Sequence, residues 1–232
     1  MSGKRKMQQF EDMKSFPNVL QVGYQEVLSK SHPLKGNWRK EIFNNNNEIV
    51  LELGCGKGEY SIELARLYPD KNFIGVDIKG ARMWRGAKTA IEEQLNNAYF
   101  LRSRIEFIDS FFAENEVDEI WITFPDPQPQ LSREKKRLTS PRFYEKYLRF
   151  LKKDGIVNLK TDSAFLYEYS LGIAKDLNYN VLVSSNKIYS ELNAFHFSEK
   201  EKEILKIKTF YEQMFTEKGH EICYLRVMPH KT

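Results

Sequence analysis

The stretch "IVLELGCGKGEY", Ile49–Tyr60, decides how the rest of the chain is read. An apolar run of strand length meets three glycines and then a helix-forming segment. Gly54, Gly56 and Gly58 have the spacing G-x-G-x-G. A dinucleotide-binding loop needs G-x-G-x-x-G, which puts the third glycine at position 59, and Glu59 stands there. A P-loop, G-x-x-x-x-G-K-[ST], is also missing. Glycines at a strand's end still let a ligand approach the backbone. Glu52, inside the strand, suits a cationic ligand better than a pyrophosphate. The next strand, "FIGVD", ends on Asp77, where a carboxylate can accept both hydroxyls of a ribose. Strand, loop, helix and acid-tipped second strand, in that order, point to S-adenosylmethionine as ligand. A plain strand, turn and capped helix would explain the glycines but not the two acids.

Outward from this motif, strand-length and helix-length runs alternate. Strands are expected at 48–53, 72–77, 98–102, 117–124, 156–161, 180–184 and 221–228. Helices are expected at 59–68, 80–95, 141–152, 164–177 and 208–217. This order implies a mostly parallel α/β sheet covered on both faces. The polar run Asn44–Asn47 divides a basic N-terminal extension, residues 1–45, from the main domain, residues 46–232. The charged, weakly periodic segment 186–207 is long for a connection, and such lengths are usually functional or mobile.

The chain has 232 residues, enough for one sizeable core. No apolar run approaches the ~20 residues of a membrane span, and the polar N-terminus lacks a signal-peptide core. Two distant cysteines fit a reducing cytoplasm and are too few for a disulfide framework or a zinc site. No metal is expected, and the chain is expected to act as a monomer or weak homodimer. The net charge of +4 hides a strong asymmetry. Arg133–Lys153 carries nine Lys/Arg against two acids, and Met1–Lys40 eight against three. With aromatics interleaved, these segments fit either a solvated basic surface or a polyanion-binding face.

The segment "ITFPDPQPQ", Ile122–Gln130, places Asp126 between two prolines at a strand end. Prolines fix φ and bias the residues before them toward extended conformations, so this carboxylate is held on a stiff support. Open α/β sheets bind ligands at that edge.

Taken together, "VLELGCGKGEYSIELARLYPDKNFIGVDIKGARM", "FPDPQP", "LKTD" (Leu159–Asp162) and "TFYE" (Thr209–Glu212) resemble the bacterial tRNA (guanine-N7-)-methyltransferase family of class I methyltransferases. The resemblance covers about residues 48–228 in matching order. It implies a Rossmann-like seven-stranded sheet with its last strand antiparallel, S-adenosylmethionine as donor, and the variable-loop guanine of tRNA, position 46, as acceptor. It also implies that Glu52, Asp77 and Asp126 serve the cofactor; near its ring, where the family often has an acid or Asn, this chain has Arg104 followed by Ile105, so a contact there comes from the backbone or the Ile side chain. Gln130, Asp162, Thr209 and Glu212 match substrate positions. The chain departs from the family where Gln128 stands for Trp and Gln130 for Lys, and the basic run reads "QLSREKKRLTS". Asp162 and Glu212 taken alone would read as a helix cap and a helix-surface acid; only the resemblance assigns them to the substrate.

The chemistry is undemanding in protons. Guanine N7 carries a lone pair at neutral pH, so no general base is needed, and His32, His196, His220 and His230 lie outside the motifs. Positioning then carries the rate. Asp126 is the residue expected where donor and acceptor meet. Cys55 reads as a small residue packed under the ligand. Lys4, Arg5, Lys6, Arg133, Lys135, Lys136 and Arg137 are expected on the RNA backbone, where neutralised phosphates supply much of the affinity. The rivals are methylation of an exocyclic base amine, whose enzymes typically follow the acid and proline with an aromatic residue, and an inert RNA-binding scaffold, which has no reason to keep three acids.

Overall fold

The structure of the chain, a computed structural model, describes residues 3–27 and 31–229. Helix α1 (Gly3–Ser15), strand β1 (Val19–Gln21) and the turn α2 (Tyr24–Val27) come first. A π-helical turn, Trp38–Phe43, leads to β2 (Glu48–Leu53). Then follow α3 (Glu59–Leu67), β3 (Lys71–Asp77), α4 (Gly80–Glu92), β4 (Ala98–Arg102), β5 (Val117–Thr123), α5 (Pro141–Tyr147), β6 (Leu151–Thr161), α6 (Ala164–Asp176) and β7 (Asn180–Ser185). The short helices α7 (Ile188–Glu191) and α8 (Glu199–Lys206), with α9 (Phe210–Glu217), precede β8 (Cys223–Met228).

The strands form one sheet in the order β1-β4-β3-β2-β5-β6-β8-β7. All neighbours pair in parallel except β8, which runs antiparallel to both β6 and β7. The seven expected strands are present, and β1 adds an eighth. Chain order reverses at β2, which lies between β3 and β5. A crevice therefore opens at the C-terminal edge of β2, where α/β sheets take their ligands.

Alternation along the central strands explains the two cores. Ile49, Leu51 and Leu53 of β2, with Ile120 and Ile122 of β5, face one core; Val50 and Trp121 face the other. Tyr144 and Tyr147 of α5 and Leu166 of α6 cover the first face. Tyr60 and Leu64 of α3, Met83 and Ala87 of α4, and Leu205 of α8 cover the second. Two apolar faces per strand give near-continuous hydrophobic runs, so Glu52 is conspicuous.

The basic N-terminal segment joins this body. Val19 of β1 pairs with Phe100 of β4. Met13 is buried, and Asp12 Oδ2 accepts from Trp84 Nε1 of α4 at 2.9 Å. Trp38 is fully buried and donates its Nε1–H to Phe111 O at 2.8 Å. The helix expected at 141–152 stops at Tyr147, because Phe150 and Leu151 turn into the core and Leu151 opens β6. Segment 186–207 is structured by α7 and α8, and Ser198 and Glu201 close a reciprocal capping box on α8.

Candidate active site

The C-terminal edge of the sheet holds a cleft of about 540 Å3. Its lining includes Glu52 from β2, Gly54 and Gly56 from the loop after it, Asp77 from the tip of β3, and Thr123 from the end of β5. Asp126 and Gln128 from the proline segment, Asp162 beyond β6, and Thr209 before α9 complete it. Glu52, Asp77, Thr123 and Asp162 meet because parallel strands point their C-terminal ends the same way, and the start of α9 adds Thr209.

The glycines divide into two kinds. Gly54 has φ +82°, which L side chains rarely adopt, and a methyl group there would meet only Leu138 Cδ1, at 3.9 Å. A methyl group on Gly56 would find nothing nearer than Gly54 O, at 4.0 Å. These two leave open space over the backbone. Gly58 does not line the cleft. A Cβ there would lie 2.5 Å from Phe100 Cε1 and 3.3 Å from Gly86 Cα. Gly58 serves the close approach of the loop to α4 and β4.

Asp77 is oriented before any ligand arrives. Its Oδ2 accepts from Gly56 N at 3.0 Å and its Oδ1 from Lys79 N at 2.8 Å. Each oxygen keeps a further lone pair for a ribose hydroxyl. Glu52 is almost entirely buried. Its Oε2 accepts from Ser61 N at 2.9 Å and Ser61 Oγ at 2.5 Å, and its Oε1 from Thr123 Oγ1 at 2.6 Å. Burial pushes its carboxyl up to about 7, against the pull of those three hydrogen bonds. The Cys55 thiol is buried and pushed well above its ordinary value by desolvation, then by Glu52 and Asp77. It packs as a small residue and is a poor nucleophile.

The proline segment is held from behind. Phe124 and Gln128 take left-handed backbone angles, φ +47° and +44°, uncommon for side chains of their size. Asp126 is exposed, and its Oδ1 accepts from Gln128 N at 3.1 Å. Arg137, expected on RNA, is buried instead. It donates Nε–H to Gln128 O at 3.1 Å and Nη2–H to Pro129 O at 3.4 Å, and stacks over Tyr169 and Phe165. A guanidinium can satisfy two carbonyls and two ring faces together, which makes it the clamp of the loop.

Four further residues lie outside the cleft lining. Glu212 is fully buried, paired with Lys160 at 2.9 Å, and accepts the Tyr189 hydroxyl. With its oxygens engaged away from the cleft lining, it supports the site from behind. Thr209, whose Oγ1 accepts from Glu212 N at 3.2 Å as the cap of α9, does line the cleft. Arg104 and Ile105 are not among the lining residues; Arg104 faces a neighbouring groove, and Ile105 packs against the first core. Gln130 is exposed outside the cleft. Of the expected RNA cations, Arg133, Lys135 and Lys136 are exposed, and Lys136 also lines the cleft. The side chains of Lys4, Arg5 and Lys6 lie outside the described residues.

Sequence reasoning missed Thr123 and Lys160. Thr123 directly precedes the proline motif on a buried strand. Lys160 lies in the inner half of β6, next to Leu159, where a cation signals a hidden acidic partner.

Residues 46–225 match the model of a family described as putative methyltransferase. A tRNA (guanine-N(7)-)-methyltransferase of Christiangramia forsetii is 50% identical over 97% of this chain and 98% of its own length. The chain belongs to the tRNA (guanine-N7-)-methyltransferase family. A second member, from Bacteroides fragilis, is 46% identical over 97% of this chain and 86% of its own length. Among solved structures, the 16S rRNA methyltransferase KamB superposes with a TM-score of 0.62 at 12% identity, covering 86% of this chain and 96% of that one. That likeness shows the class I methyltransferase fold.

As a methyltransferase of this family, the chain takes S-adenosylmethionine as methyl donor. The donor set fits that molecule: open space over Gly54 and Gly56, a pre-oriented carboxylate at Asp77 for ribose hydroxyls, and an acid at Glu52 for a cationic group. Among the described residues, Gln128 Oε1 is buried without a hydrogen-bond partner, leaving an acceptor for a ligand donor. Among the described residues, no helix is long and apolar enough to cross a membrane.

Proposed function

We propose that this methyltransferase acts on N7 of the variable-loop guanine of tRNA, position 46, with one chain as the working unit and the cytoplasm as the place of work. The observation that carries the reading is the meeting of Glu52, Asp77, Asp126, Asp162 and Thr209 on one cleft.

Bound S-adenosylmethionine supplies a methyl carried on a sulfonium. Asp77 takes the ribose hydroxyls, and Glu52 faces the cationic amino-acid end. The Asp126 carboxylate, on its proline support, would act where donor and acceptor meet. Asp162 accepts from the N1–H and exocyclic amine of guanine, which point away when N7 is presented for attack. Thr209 closes the base side. The new bond forms between N7 and the methyl carbon as the sulfur–methyl bond breaks, so positive charge passes to the purine. Carboxylates held at the cleft favour that charge, and fixed geometry does the rest.

The test is incubation of the chain with unmodified tRNA and labelled methyl donor, followed by mapping of the modified nucleotide. N7-methylguanosine in the variable loop is the expected product. Label on an exocyclic amine, or none, would overturn the proposal.

A further inference from the structure

A second groove, of about 550 Å3, lies beside the cleft, and of its lining only Lys135 and Lys136 have been given a role so far. It is walled by the turn Ile105–Ser110 after β4, the turn Leu131–Lys136, and α5. Arg104, Lys135, Lys136, Arg142 and Lys146 line it, against two acids, Glu106 and Asp109. Both acids are already neutralised. Asp109 accepts from Lys146 Nζ at 2.9 Å and Arg149 Nη1 at 2.7 Å, and Glu106 from Arg104 Nη2 at 3.3 Å. Lys135, Lys136 and Arg142 are exposed and have no carboxylate at ion-pair distance among the described residues.

We propose that this groove seats backbone phosphates of the RNA strand that delivers the target guanosine, with Arg142 and Arg104 as its phosphate-binding forks. Lys136 lines both cavities, so a strand whose base enters the cleft passes this groove next. An anionic ligand gains from an excess of unpaired cations, and a planar guanidinium matches a phosphate's oxygens two at a time. Among the described residues, the lining offers few apolar side chains for a protein partner and no aromatic face beyond Phe107 for stacking a base, so the backbone is the part of RNA it fits. Arg104, turned away from the cofactor cleft, finds its use here.

The inference rests on RNA being the substrate. Its test therefore reads tRNA binding and methylation separately, on the full chain. Arg142→Gln and the double variant Arg104→Gln/Arg142→Gln should weaken tRNA binding by about tenfold per arginine at low salt. The slope of log affinity against log salt should flatten by about one unit per lost phosphate contact. S-adenosylmethionine affinity by calorimetry should equal that of the unaltered chain, which also reports correct folding. Unchanged tRNA affinity and salt slope in the double variant would overturn the groove assignment, as would a loss of affinity with the salt slope intact. A chain that binds tRNA with this signature but transfers no methyl to guanine would instead sink the reading of the reaction and leave the groove standing.

Discussion

Lys160 Nζ lies 2.9 Å from Glu212 Oε1, and neither side chain is reached by solvent. The ammonium also donates to Leu205 O at 2.7 Å and Ile207 O at 3.0 Å, at the end of α8. One buried cation thus ties the segment bearing Thr209 to β6, two residues before Asp162. Burial lowers the Lys160 pKa to about 8 despite the pull of Glu212, so the charge is held at a cost.

Removing one member of this pair strands the other. Glu212→Ala should lower stability by about 3–5 kcal/mol in urea unfolding, since an uncompensated buried charge is left behind. The double variant Lys160→Met/Glu212→Leu should regain much of that. A Glu212→Ala chain with an unchanged unfolding midpoint would remove the pair from this role.

Glu52 predicts a pH dependence of donor binding. Its folded pKa of about 7 stands above the ordinary 4.5, so between those values the folded chain keeps a proton that the unfolded chain has released. Its contribution to stability therefore falls as pH rises through that window, by about 3 kcal/mol in all, and is flat above about 7. A cationic ligand favours the ionised form. S-adenosylmethionine affinity should rise from pH 5 to about 7 and then level off, with proton release visible by calorimetry in buffers of different ionisation heat. In Glu52→Gln the pH dependence should disappear; if it persists, another group is responsible.

Arg137→Ala should act on chemistry and not on RNA affinity. Without the clamp on Gln128 O and Pro129 O, the support under Asp126 loosens. Single-turnover methylation at saturating tRNA should fall at least tenfold, a loss of about 1.4 kcal/mol or more, while the salt slope of tRNA binding stays put. A flattened slope with an intact rate would return Arg137 to the RNA surface.

The two kinds of glycine separate stability from binding. Gly58→Ala drives a methyl into Phe100 and should cost about 1–3 kcal/mol from overpacking, with backbone strain in addition. Gly54→Ala carries only the strain of its positive φ, about 1–2 kcal/mol, but fills the space over the loop. It should weaken S-adenosylmethionine binding more than Gly58→Ala does. Thermal melts and calorimetry on both variants decide the order.

Asp162→Ala should slow methyl transfer and spare donor binding. Inosine lacks the exocyclic amine but keeps N7 and N1–H, so tRNA with inosine at the target should react more slowly than guanosine with the unaltered chain. If Asp162 accepts from the amine, the variant should discriminate less between the two bases. An unchanged guanosine-to-inosine ratio would release Asp162 from that role.

Much of the candidate cleft was legible because most of its residues sit where strands end. Glu52, Gly54, Gly56, Asp77, Asp126, Asp162 and Thr209 were all named from motifs, and all line the cleft. Glu212, Arg137, Gly58 and Arg104 were also named, but their side chains go elsewhere. A motif specifies residue type and spacing along the chain. It does not tell a residue that touches the ligand from one that holds such a residue in place.

The sequence by itself determined the α/β class, seven of the eight strands, the family and the acids of the cleft. Those features are local: apolar runs of strand length, glycines at a strand end, prolines around an acid. Only the tertiary structure decided that β1 joins the sheet beside β4, that Lys160 consumes Glu212, and that Arg137 faces inward under the proline loop. The physical reason is burial. A charged side chain in a sequence reads as surface until its neighbours are known, and the neighbours that bury Arg137, Lys160 and Glu212 come from segments about 10 to 50 residues away, brought together by the packing of helices on the sheet.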